Sequence, residues 1–427
     1  MLILTVNSGS TSAKLAAFAP AGTPPVSTAL TSMKDVPQLS RVRYEHLSGP
    51  EPGPRVGLQA TPRAGAPLDP QAGSPADPPL DPRAALAAFL GKLSEPVAAV
   101  AHRVVHGGND FARPVLIDAG AETKLRALCE LAPLHNPVAL RWIDAARALC
   151  PPHVPQVAVF DTAFFAGLPR LAREYALPPS LGTDLGVRRY GFHGLAHEAI
   201  WRRWCELYPE RRGGGRLITL QLGGGCSIAA IDGGHAVDTS MGFSPLEGLV
   251  MATRSGDVDP AAIAYLAGKL HTTVGRIVER LNEASGLLGV SGLSSDLRVL
   301  AAQSTEAARF AVELYCYRAR KYVGAYLAVL GGCDGIAFGG GVGEHLPDIR
   351  ERILAPLRWA GIELDPQANG AALGSEARIS AAGAPVTVQV IRVDEEQTLA
   401  GAALAFVGHE AFVGREASAD RPRDQRA

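Results

Sequence analysis

Two short hairpin-like segments stand out in the pattern of apolar and polar positions along the chain. The first joins the apolar runs Leu2–Val6 and Lys14–Phe18 through a polar turn that contains Gly9. The second joins Leu217–Leu222 to another apolar run through the glycines that start at Gly223. Aligning Gly9 with Gly223 superposes the two segments at a spacing of 214 residues, about half of the chain. An internal duplication into two lobes is our hypothesis, although short glycine-rich hairpins also recur by chance.

Helical and strand-like segments alternate over most of the remaining chain. Helical periodicity predicts helices at Ala121–Leu131, Ala139–Leu149, His197–Tyr208, Pro260–Leu270, Thr305–Leu330 and Pro347–Trp359. Short apolar runs predict strands at Val97–Ala101, Val157–Phe160, Leu217–Leu222, Gly335–Phe338 and Val386–Val393. Because this alternation is typical of βαβ units, it predicts α/β lobes with mostly parallel sheets.

The composition indicates a folded protein of more than one domain. The chain has 427 residues, of which 47% are hydrophobic, and at about 150 residues per domain we expect two or three domains. The 41 basic residues nearly balance the 42 acidic ones, which excludes a general attraction to nucleic acid or to an anionic membrane. No run reaches the roughly 18 apolar residues of a membrane span, and the first residues lack the basic region of a signal peptide. We therefore expect a soluble, cytoplasmic protein.

Two segments differ in composition from the rest. Ten of the 32 prolines fall between Gly49 and Arg83, so residues 49–83 are predicted to form an exposed insert without regular structure. Residues 413–427 lack apolar periodicity and are predicted to be a disordered tail. The predicted domains are a first lobe of residues 1–161 plus about 396–412, and a second lobe of residues 162–395.

Glycines and charges at the ends of apolar strands mark the candidate chemistry, because ligands of open α/β sheets bind at those ends. Gly339–His345 and Gly223–Gly225 offer bare backbone N–H groups that suit phosphate. Arg103 lies at an apolar strand end and Arg254 in a polar turn. A buried guanidinium needs an anionic partner, which is either structural or a substrate.

Asp161 and His193 are the other candidates for a catalytic site. Asp161 ends an apolar strand, and His193 immediately precedes a glycine. Taken alone, such an aspartate is more often a turn or helix cap, and such a histidine more often a packing residue. Only their combination with other motifs points to catalysis.

Eight motifs, read in order, resemble the acetate kinase family in sequence and spacing. They are Asn7–Lys14, His102–Gly108, Phe160–Phe164, Tyr190–Gly194, Asp238–Gly248, Thr253–Pro260, Gly289–Arg298 and Asp394–Glu396. The resemblance extends from Leu2 to about Ala405, interrupted by the proline-rich insert. It implies an α/β fold of two duplicated lobes, of the ribonuclease H-like superfamily of actin, hexokinase and the chaperone ATPases, with a nucleotide cleft between the lobes.

The resemblance implies a magnesium-dependent acetate kinase activity: reversible in-line phosphoryl transfer from ATP to acetate, which gives acetyl phosphate and ADP. By similarity, Arg103 and Arg254 hold the acetate carboxylate and the phosphoryl oxygens. His193 stabilises the transition state, and His135 lies nearby. Asp161 matches the family's catalytic carboxylate. Because acetate is already ionised at neutral pH, we expect Asp161 to orient groups and to position the metal rather than to abstract a proton.

The resemblance also implies the residues that bind the metal, the nucleotide and the acyl group. Asn7 and Glu395 match magnesium-associated positions, with Mn²⁺ as an alternative ion. The nucleotide-binding positions are Gln221, Gly223, Gly224, Gly225, Asp296, Leu297, Arg298, Gly341, Val342, Gly343, Glu344 and His345. The pocket for the methyl group comprises Val105, Leu134, Phe192 and Pro245, which are all of the expected apolar type, so a short acyl chain is expected.

Several positions depart from the family's motifs. The phosphate loop usually reads His-Leu-Gly-Asn-Gly, but here it is Gln221–Gly225. His345 replaces an asparagine, Phe165 replaces a histidine, and Leu195–Ala196 replaces a Thr-Ser pair. These changes bear mainly on the phosphoryl donor, for which ATP is expected and GTP and pyrophosphate are alternatives.

Other functions stay open from the sequence. A propionate or butyrate kinase is one alternative, because a pocket discriminates each methylene by only about 1–3 kcal/mol. A degraded regulatory nucleotide-binding homologue would fit the departures, whereas an ATP-driven switch of the actin type would need an output domain. The expected partners are a small carboxylate, a nucleotide and a second copy in a homodimer, with no nucleic acid and no membrane.

Overall fold

The computed structural model describes residues 2–8, 12–20, 39–48 and 80–407. The predicted tail lies outside these described residues, as do the turn around Gly9 and all of the predicted insert except residues 80–83. The described residues form two compact units, each with its own sheet and its own hydrophobic core.

Strands and helices follow one another along both units. The strands are β1 (Leu2–Ser8), β2 (Ser12–Pro20), β3 (Leu39–Ser48), β4 (Val97–Val104), β5 (Val115–Leu116), β6 (Gln156–Phe160), β7 (Arg216–Leu222), β8 (Cys226–Asp232), β9 (His235–Thr239), β10 (Gly335–Gly339), β11 (Ala377–Arg378) and β12 (Thr387–Val390). The helices are α1 (Pro82–Leu90), α2 (Ala119–Ala127), α3 (Asn136–Leu149), α4 (Arg170–Arg173), α5 (Gly194–Leu207), α6 (Pro260–Lys269), α7 (Val274–Glu283), α8 (Gly286–Ser291), α9 (Leu297–Ala301), α10 (Glu306–Leu330), α11 (Gly340–His345), α12 (Pro347–Leu354), α13 (Pro366–Ala371) and α14 (Glu395–Val407). None of these described helices is both long and apolar enough to cross a membrane.

The division into units differs in two segments from the lobes predicted by the sequence. The first unit comprises the described residues of Met1–Val104, Pro114–Val159 and Glu396–Ala427, and the second comprises Val105–Arg113 and Phe160–Glu395. Residues 105–113 and 160–161 thus belong to the second unit, although the sequence analysis put them in the first lobe. The packing gives the reason: Phe111 stacks on Phe160 with ring centroids 4.7 Å apart.

The two six-stranded sheets have the same strand order. It is β3-β2-β1-β4-β6-β5 in the first unit and β9-β8-β7-β10-β12-β11 in the second. In both, the first strand pairs antiparallel with the second and parallel with the fourth. β1 and β7 begin 214 residues apart, and so do β2 and β8. The duplicated α/β fold that the sequence indicated is confirmed at the level of topology.

The prediction of mostly parallel sheets is wrong. In the second sheet, β8 pairs antiparallel with both of its neighbours, and so does β11 with β12. The first sheet has antiparallel pairs at β1–β2, β2–β3 and β5–β6. Among the described connections, β7 and β8 are joined by residues 223–225 and β8 and β9 by residues 233–234. Such short connections give antiparallel pairs, because parallel pairing needs a longer crossover connection. The sheets are therefore mixed.

All of the predicted helices and strands are present, with bounds that follow the local capping. α10 begins after Thr305, whose hydroxyl accepts the N–H of Ala308 at 3.3 Å, and it ends at Gly331 in the left-handed conformation. The helix predicted for Pro347–Trp359 ends at Leu354 and continues as a 3₁₀ helix. The sequence analysis missed α7, an exposed helix that has only one buried side chain.

The central strands of both sheets are covered on both faces. Every residue of β1, β6 and β10 is buried, which is typical of strands with packing on either side. The core of the second unit gathers side chains of β7, β8, β10 and α10, together with Val105 and Phe192. The strand ends are therefore held on rigid elements.

Candidate active site

A charged cluster lies at the carboxyl end of β1 in the first unit. Nη1 of Arg103 donates to Oδ1 of Asn7 at 3.0 Å, and Nδ2 of Asn7 donates to Oε1 of Glu396 at 3.0 Å. Lys14 and Arg41 lie 3.6 and 3.8 Å from the Glu396 carboxylate. Glu396 is only 5% exposed, so its buried charge needs these cations. The cluster brings together two residues singled out by the sequence, Asn7 and Arg103.

The acidic residue that contacts Asn7 is one position beyond the residue singled out by the sequence. The resemblance implies Glu395, the half-buried first residue of α14, but the hydrogen bond is made by Glu396. Neighbouring helical residues point about 100° apart, and a motif of adjacent acids does not report which of them faces the strand. Glu396 is therefore a site residue that the sequence analysis missed, and the metal-binding role of Glu395 stays a prediction.

The residues predicted for the acyl pocket divide between the two units. Leu134, 46% exposed, and the half-buried His135 precede α3 in the first unit. Val105 and Phe192 are 6% and 1% exposed and are part of the hydrophobic core of the second unit. Pro245 is a half-buried residue of the same unit. The arrangement of these residues around a methyl group stays a prediction.

Asp161 and His193 are connected through Gly194. Asp161 directly follows β6 and is 1% exposed, and its carbonyl accepts the N–H of Gly194 at 3.0 Å. A Cβ on Gly194 would overlap that carbonyl oxygen, so a larger residue does not fit there. His193 has φ 58° and ψ 28°, a left-handed conformation that is costly for a residue with a side chain. The end of β6 and the start of α5 are therefore locked together, with His193 at the junction.

Gly225 lies against both His193 and Arg254. A Cβ on Gly225 would be 3.0 Å from Cε1 and 3.1 Å from Nε2 of His193, and 3.7 Å from Nη1 of Arg254. Nη1 of Arg254 also donates to the carbonyl of Pro245 at 3.4 Å. An imidazole and a guanidinium thus face one stretch of bare backbone. Such a set of N–H donors and positive charge is suited to the oxygens of a phosphoryl group.

A row of buried hydroxyl and imidazole groups continues from His193 into the second unit. Nδ1 of His193 is 3.0 Å from Oγ of Ser227, which is 2.7 Å from Nε2 of His197. Nδ1 of His197 is 2.7 Å from Oγ1 of Thr219. The sequence analysis singled out only His193. The available signals were the four-residue spacing of the two histidines and the hydroxyls within apolar strands.

The two glycine loops lie at the ends of neighbouring parallel strands, because Gln221 of β7 pairs with Gly339 of β10. Gly340 has φ 76°, and a Cβ there would be 2.6 Å from the carbonyl oxygen of Leu222 and 3.1 Å from Nε2 of Gln221. A Cβ on Gly224, by contrast, would meet nothing within 4 Å. The backbone at Gly340 is therefore tightly packed, whereas Gly224 has room for a side chain, and both residues lie at the same sheet edge.

Asp296, Leu297 and Arg298 form the start of α9. Oδ1 of Asp296 accepts the backbone N–H of Arg298 at 2.8 Å, and its carboxylate pairs with the Arg298 guanidinium at 2.6 Å. Hydrogen bonds from Arg298 lower the pKa of Asp296. Leu297 is 2% exposed and packs in the core. Of these three residues, only the polar pair can face a ligand.

The remaining residues predicted to bind the nucleotide lie in α11. Oε1 of Glu344 accepts the N–H groups of Gly340 and Val393, both at 3.1 Å. The ring of His345 packs directly over Gly374. Glu344 therefore stabilises the glycine loop from within, while His345 is held by packing at the end of the helix.

Comparison with known proteins relates the chain to one family. The sequence model of the Acetokinase family matches residues 84–401. The acetate kinase of Chloroherpeton thalassium is 47% identical over 311 residues, which are 72% of this chain and 75% of that protein. The acetate kinase of Leifsonia xyli is 44% identical over 331 residues, 76% of this chain and 83% of that protein. These matches include residues of both units.

Solved structures show the same relationship. The acetate kinase of Porphyromonas gingivalis superposes with a TM-score of 0.77 at 34% identity, covering 95% of this chain and 100% of that one. A propionate kinase of Francisella tularensis superposes with a TM-score of 0.76 at 33% identity, covering 94% of this chain and 98% of that one.

Proposed function

Because the chain belongs to the acetokinase family, as its motifs indicated, it is a phosphotransferase with a carboxyl group as acceptor, and we propose how its residues transfer the terminal phosphoryl group of ATP reversibly to acetate. The observation that carries the proposal is the approach of His193 and Arg254 to the backbone at Gly225. A Cβ built on Gly225 would be 3.0 Å from Cε1 of His193 and 3.7 Å from Nη1 of Arg254. Phosphoryl transfer depends mainly on positioning and on stabilising the charge of the transferring group. These two side chains are suited to that task.

The two arginines are proposed to bind different anionic groups. Arg254 binds the oxygens of the transferring phosphoryl group, together with His193. Arg103 binds the acetate carboxylate, because the planar guanidinium matches the two oxygens of a carboxylate, and the bond from its Nη1 to Asn7 at 3.0 Å holds its orientation. His135 lies near the substrates by family resemblance.

Asp161 acts as an orienting residue and not as a general base. The acetate carboxylate is ionised at neutral pH, since carboxyl groups of this kind have a pKa near 4–5, so the nucleophile has no proton to lose. The position of Asp161, 1% exposed and hydrogen bonded to Gly194 through its carbonyl, supports a role in holding the start of α5. Its carboxylate also helps to position the metal.

The divalent metal that this family requires is proposed to be Mg²⁺, with Mn²⁺ as a substitute. Among the described residues, no three His, Cys, Asp or Glu side chains converge in a way that could hold an ion. Asn7 and Glu395 offer side-chain oxygens, and Oδ1 of Asn7 is held by the hydrogen bond from Arg103. This sparse oxygen set fits a hard cation that keeps several waters. When bound, the ion neutralises negative charge on the phosphates.

ATP is the proposed donor, held by backbone N–H groups and by the polar pair of α9. By family resemblance, the loop at Gln221–Gly225 holds the phosphates, and Asp296, Arg298 and the α11 residues Gly341–His345 lie around the adenosine. The pairing of Gln221 with Gly339 supports this assignment, because it brings the two segments to one sheet edge, and N–H groups of a glycine-rich turn suit phosphate oxygens.

By family resemblance, Val105, Leu134, Phe192 and Pro245 are proposed to contact the methyl group of acetate, and Val105 and Phe192 are the buried members of this set. Propionate is a second substrate: the chain is similar to a propionate kinase at 33% identity, and one methylene changes the selectivity by only about 1–3 kcal/mol. We further propose that the protein is a cytoplasmic homodimer, for which the family resemblance is the support.

A hydroxamate assay of the purified protein tests the proposal. Acetate, propionate and butyrate are each combined with ATP, GTP or pyrophosphate, with Mg²⁺, with Mn²⁺ or with a chelator. The expected result is metal-dependent acyl phosphate formation that is fastest with acetate and ATP, with measurable turnover of propionate. Turnover with pyrophosphate, together with no turnover with ATP or GTP, would exclude ATP as the donor. No turnover with any combination would favour a regulatory nucleotide-binding homologue.

A further inference from the structure

Four side chains of the second unit form one continuous hydrogen-bonded chain that ends at His193. His193 and His197 are four residues apart at the start of α5, and so they share one face of the helix. Thr219 in β7 and Ser227 in β8 lie on one face of the sheet, since Ser227 pairs with Gln221, two residues from Thr219. Thr219, Ser227 and His197 are fully buried. The chain therefore runs from a buried end at Thr219 to the candidate active site.

The buried residues His197 and Thr219 determine which groups donate and which accept along the chain of hydrogen bonds. Burial lowers the pKa of His197 to about 3, so the ring is neutral and has one N–H and one acceptor nitrogen. Among the described residues, Oγ1 of Thr219 has only Nδ1 of His197 as a partner, at 2.7 Å. If His197 donated this bond, the hydroxyl proton of Thr219 would be buried without an acceptor, which costs about 1–3 kcal/mol. Thr219 therefore donates to Nδ1, and His197 carries its proton on Nε2.

The remaining bonds follow from this direction. Nε2–H of His197 donates to Oγ of Ser227 at 2.7 Å, and the hydroxyl of Ser227 then donates to Nδ1 of His193 at 3.0 Å. A neutral histidine whose Nδ1 accepts a hydrogen bond carries its proton on Nε2. The Cε1–Nε2 edge of the His193 ring lies against Gly225, since a Cβ there would be 3.0 Å from Cε1 and 3.1 Å from Nε2. The N–H of His193 is thus on the ring edge that lies beside the phosphate loop.

We propose that Thr219, His197 and Ser227 are positioning residues that hold His193 in its Nε2–H tautomer, so that this N–H donates to an oxygen of the transferring phosphoryl group. The inference rests on the proposed function, because it takes His193 as the residue that contacts the phosphoryl group. No proton is transferred along the chain. Its members act through His193 and not on the substrate.

The tautomer is measured directly on the intact protein. Long-range ¹H–¹⁵N spectra of the chain labelled with ¹⁵N-histidine distinguish the two ring nitrogens, and the loss of one set of signals in His193→Gln assigns His193. In the wild type, both His193 and His197 are expected as neutral Nε2–H tautomers. In Ser227→Ala, His193 is expected as a mixture of tautomers. A wild-type His193 protonated at Nδ1 alone, or an unchanged tautomer in Ser227→Ala, would overturn the proposal.

Kinetics separates positioning from folding. Ser227→Ala is expected to lower kcat by at least about tenfold while the KM values for ATP and acetate change less, because the N–H acts on the transferring group. Ser227→Thr keeps the hydroxyl and is expected to restore most of kcat. Thr219→Val removes the group that sets the direction, and it should also lower kcat.

The duplicated fold supplies the matched control for Thr219→Val. Thr5 occupies the equivalent position of β1, is equally buried, and donates to the carbonyl of Ala16 at 3.3 Å. Thr5→Val is expected to leave kcat and the His193 signals unchanged, and an equal loss in both variants would overturn the inference. If the wild type shows the Nε2–H tautomer of His193 but forms no acyl phosphate, the proposed function is refuted, whereas the hydrogen-bonded chain that holds His193 is supported.

Discussion

The strand ends at Asn7 in β1 and Gln221 in β7 occupy equivalent positions of the duplicated fold, but their surroundings are opposite in character. Beside Asn7, the adjacent strand β4 carries Arg103, which donates to it at 3.0 Å. Beside Gln221, the adjacent strand β10 carries Gly339 in the corresponding register. One end thus presents a guanidinium, and the other presents glycine backbone.

This difference supports the proposal that the two strand ends bind two kinds of anion. A guanidinium matches the planar fork of a carboxylate, whereas glycine-rich backbone lets several N–H groups approach phosphate oxygens closely. Under this proposal, a variant of Arg103 should mainly affect acetate, and a variant of Gly224 should mainly affect ATP.

The largest effect is expected from Arg103→Met. The variant should lower kcat/KM for acetate about 10²–10³-fold, because it removes the cation at the carboxylate and leaves Asn7 without its donor. Steady-state kinetics with each substrate varied in turn provides the measurement. Arg41→Met is the control, since Arg41 faces Glu396 at 3.8 Å and is expected to matter far less. Equal losses in both variants, or a loss confined to the KM for ATP, would contradict the assignment of Arg103 to acetate.

The glycine end is tested by a pair of adjacent substitutions. Gly340→Ala should destabilise the protein by about 3 kcal/mol, because φ is 76° and the added Cβ would be 2.6 Å from the Leu222 carbonyl oxygen. Gly341→Ala is the matched control: a Cβ there meets nothing within 4 Å, and alanine favours a helix. Urea unfolding measures both variants. Similar unfolding midpoints for the two variants would show that the backbone at position 340 does not need glycine for its conformation.

Each unit also buries a neutral histidine, and the free energy of unfolding should therefore depend on pH. Burial lowers the pKa of His102 to about 4 and that of His197 to about 3, below the value of about 6.5 in an unfolded chain. Between these values the unfolded chain binds a proton that the folded chain does not, so stability is lost as the pH falls below about 6.5. At pH 5, each histidine should lower the free energy of unfolding by about 2 kcal/mol relative to pH 8.

Urea unfolding at both pH values tests this expectation. His102→Gln should remove the contribution of the first unit and leave that of His197, so about half of the histidine-linked loss should remain. A loss that is unaffected by the substitution would show that other groups cause the pH dependence.

The smallest effect is expected from Gly224→Asn, which restores the amide found in most family members. The added Cβ meets nothing within 4 Å, so the side chain can be accommodated. If its amide reaches a phosphate, the KM for ATP should fall by the equivalent of about 0.5–1.5 kcal/mol, a typical net hydrogen bond. Gly224→Ala serves as the control, because it changes the backbone freedom without adding an amide. A KM that stays flat or rises in the asparagine variant would mean that the loop binds phosphate in another geometry.

The elements with strong local signals were predictable from the sequence. The hairpins at Gly9 and Gly223 repeat the same apolar pattern at one spacing, and helix α10 has a hydroxyl cap at Thr305 and a glycine at its end. Such signals depend on neighbouring residues, which share one backbone conformation. The short β11 was missed because two residues show no period. Helix α7 was missed although Val274, Ile277 and Leu281 recur at helical spacing, so its local signal was available.

The sequence by itself determined the family, the duplication and the residue types at the strand ends, since motifs and turns are local. Only the tertiary structure decided which residues meet: Glu396 contacts Asn7, 389 residues away in the chain, and His197 of α5 contacts Ser227 of β8. It also decided that the sheets are mixed. Contacts of this kind depend on the direction in which each helix face points and on strand register, and no local periodicity carries that information.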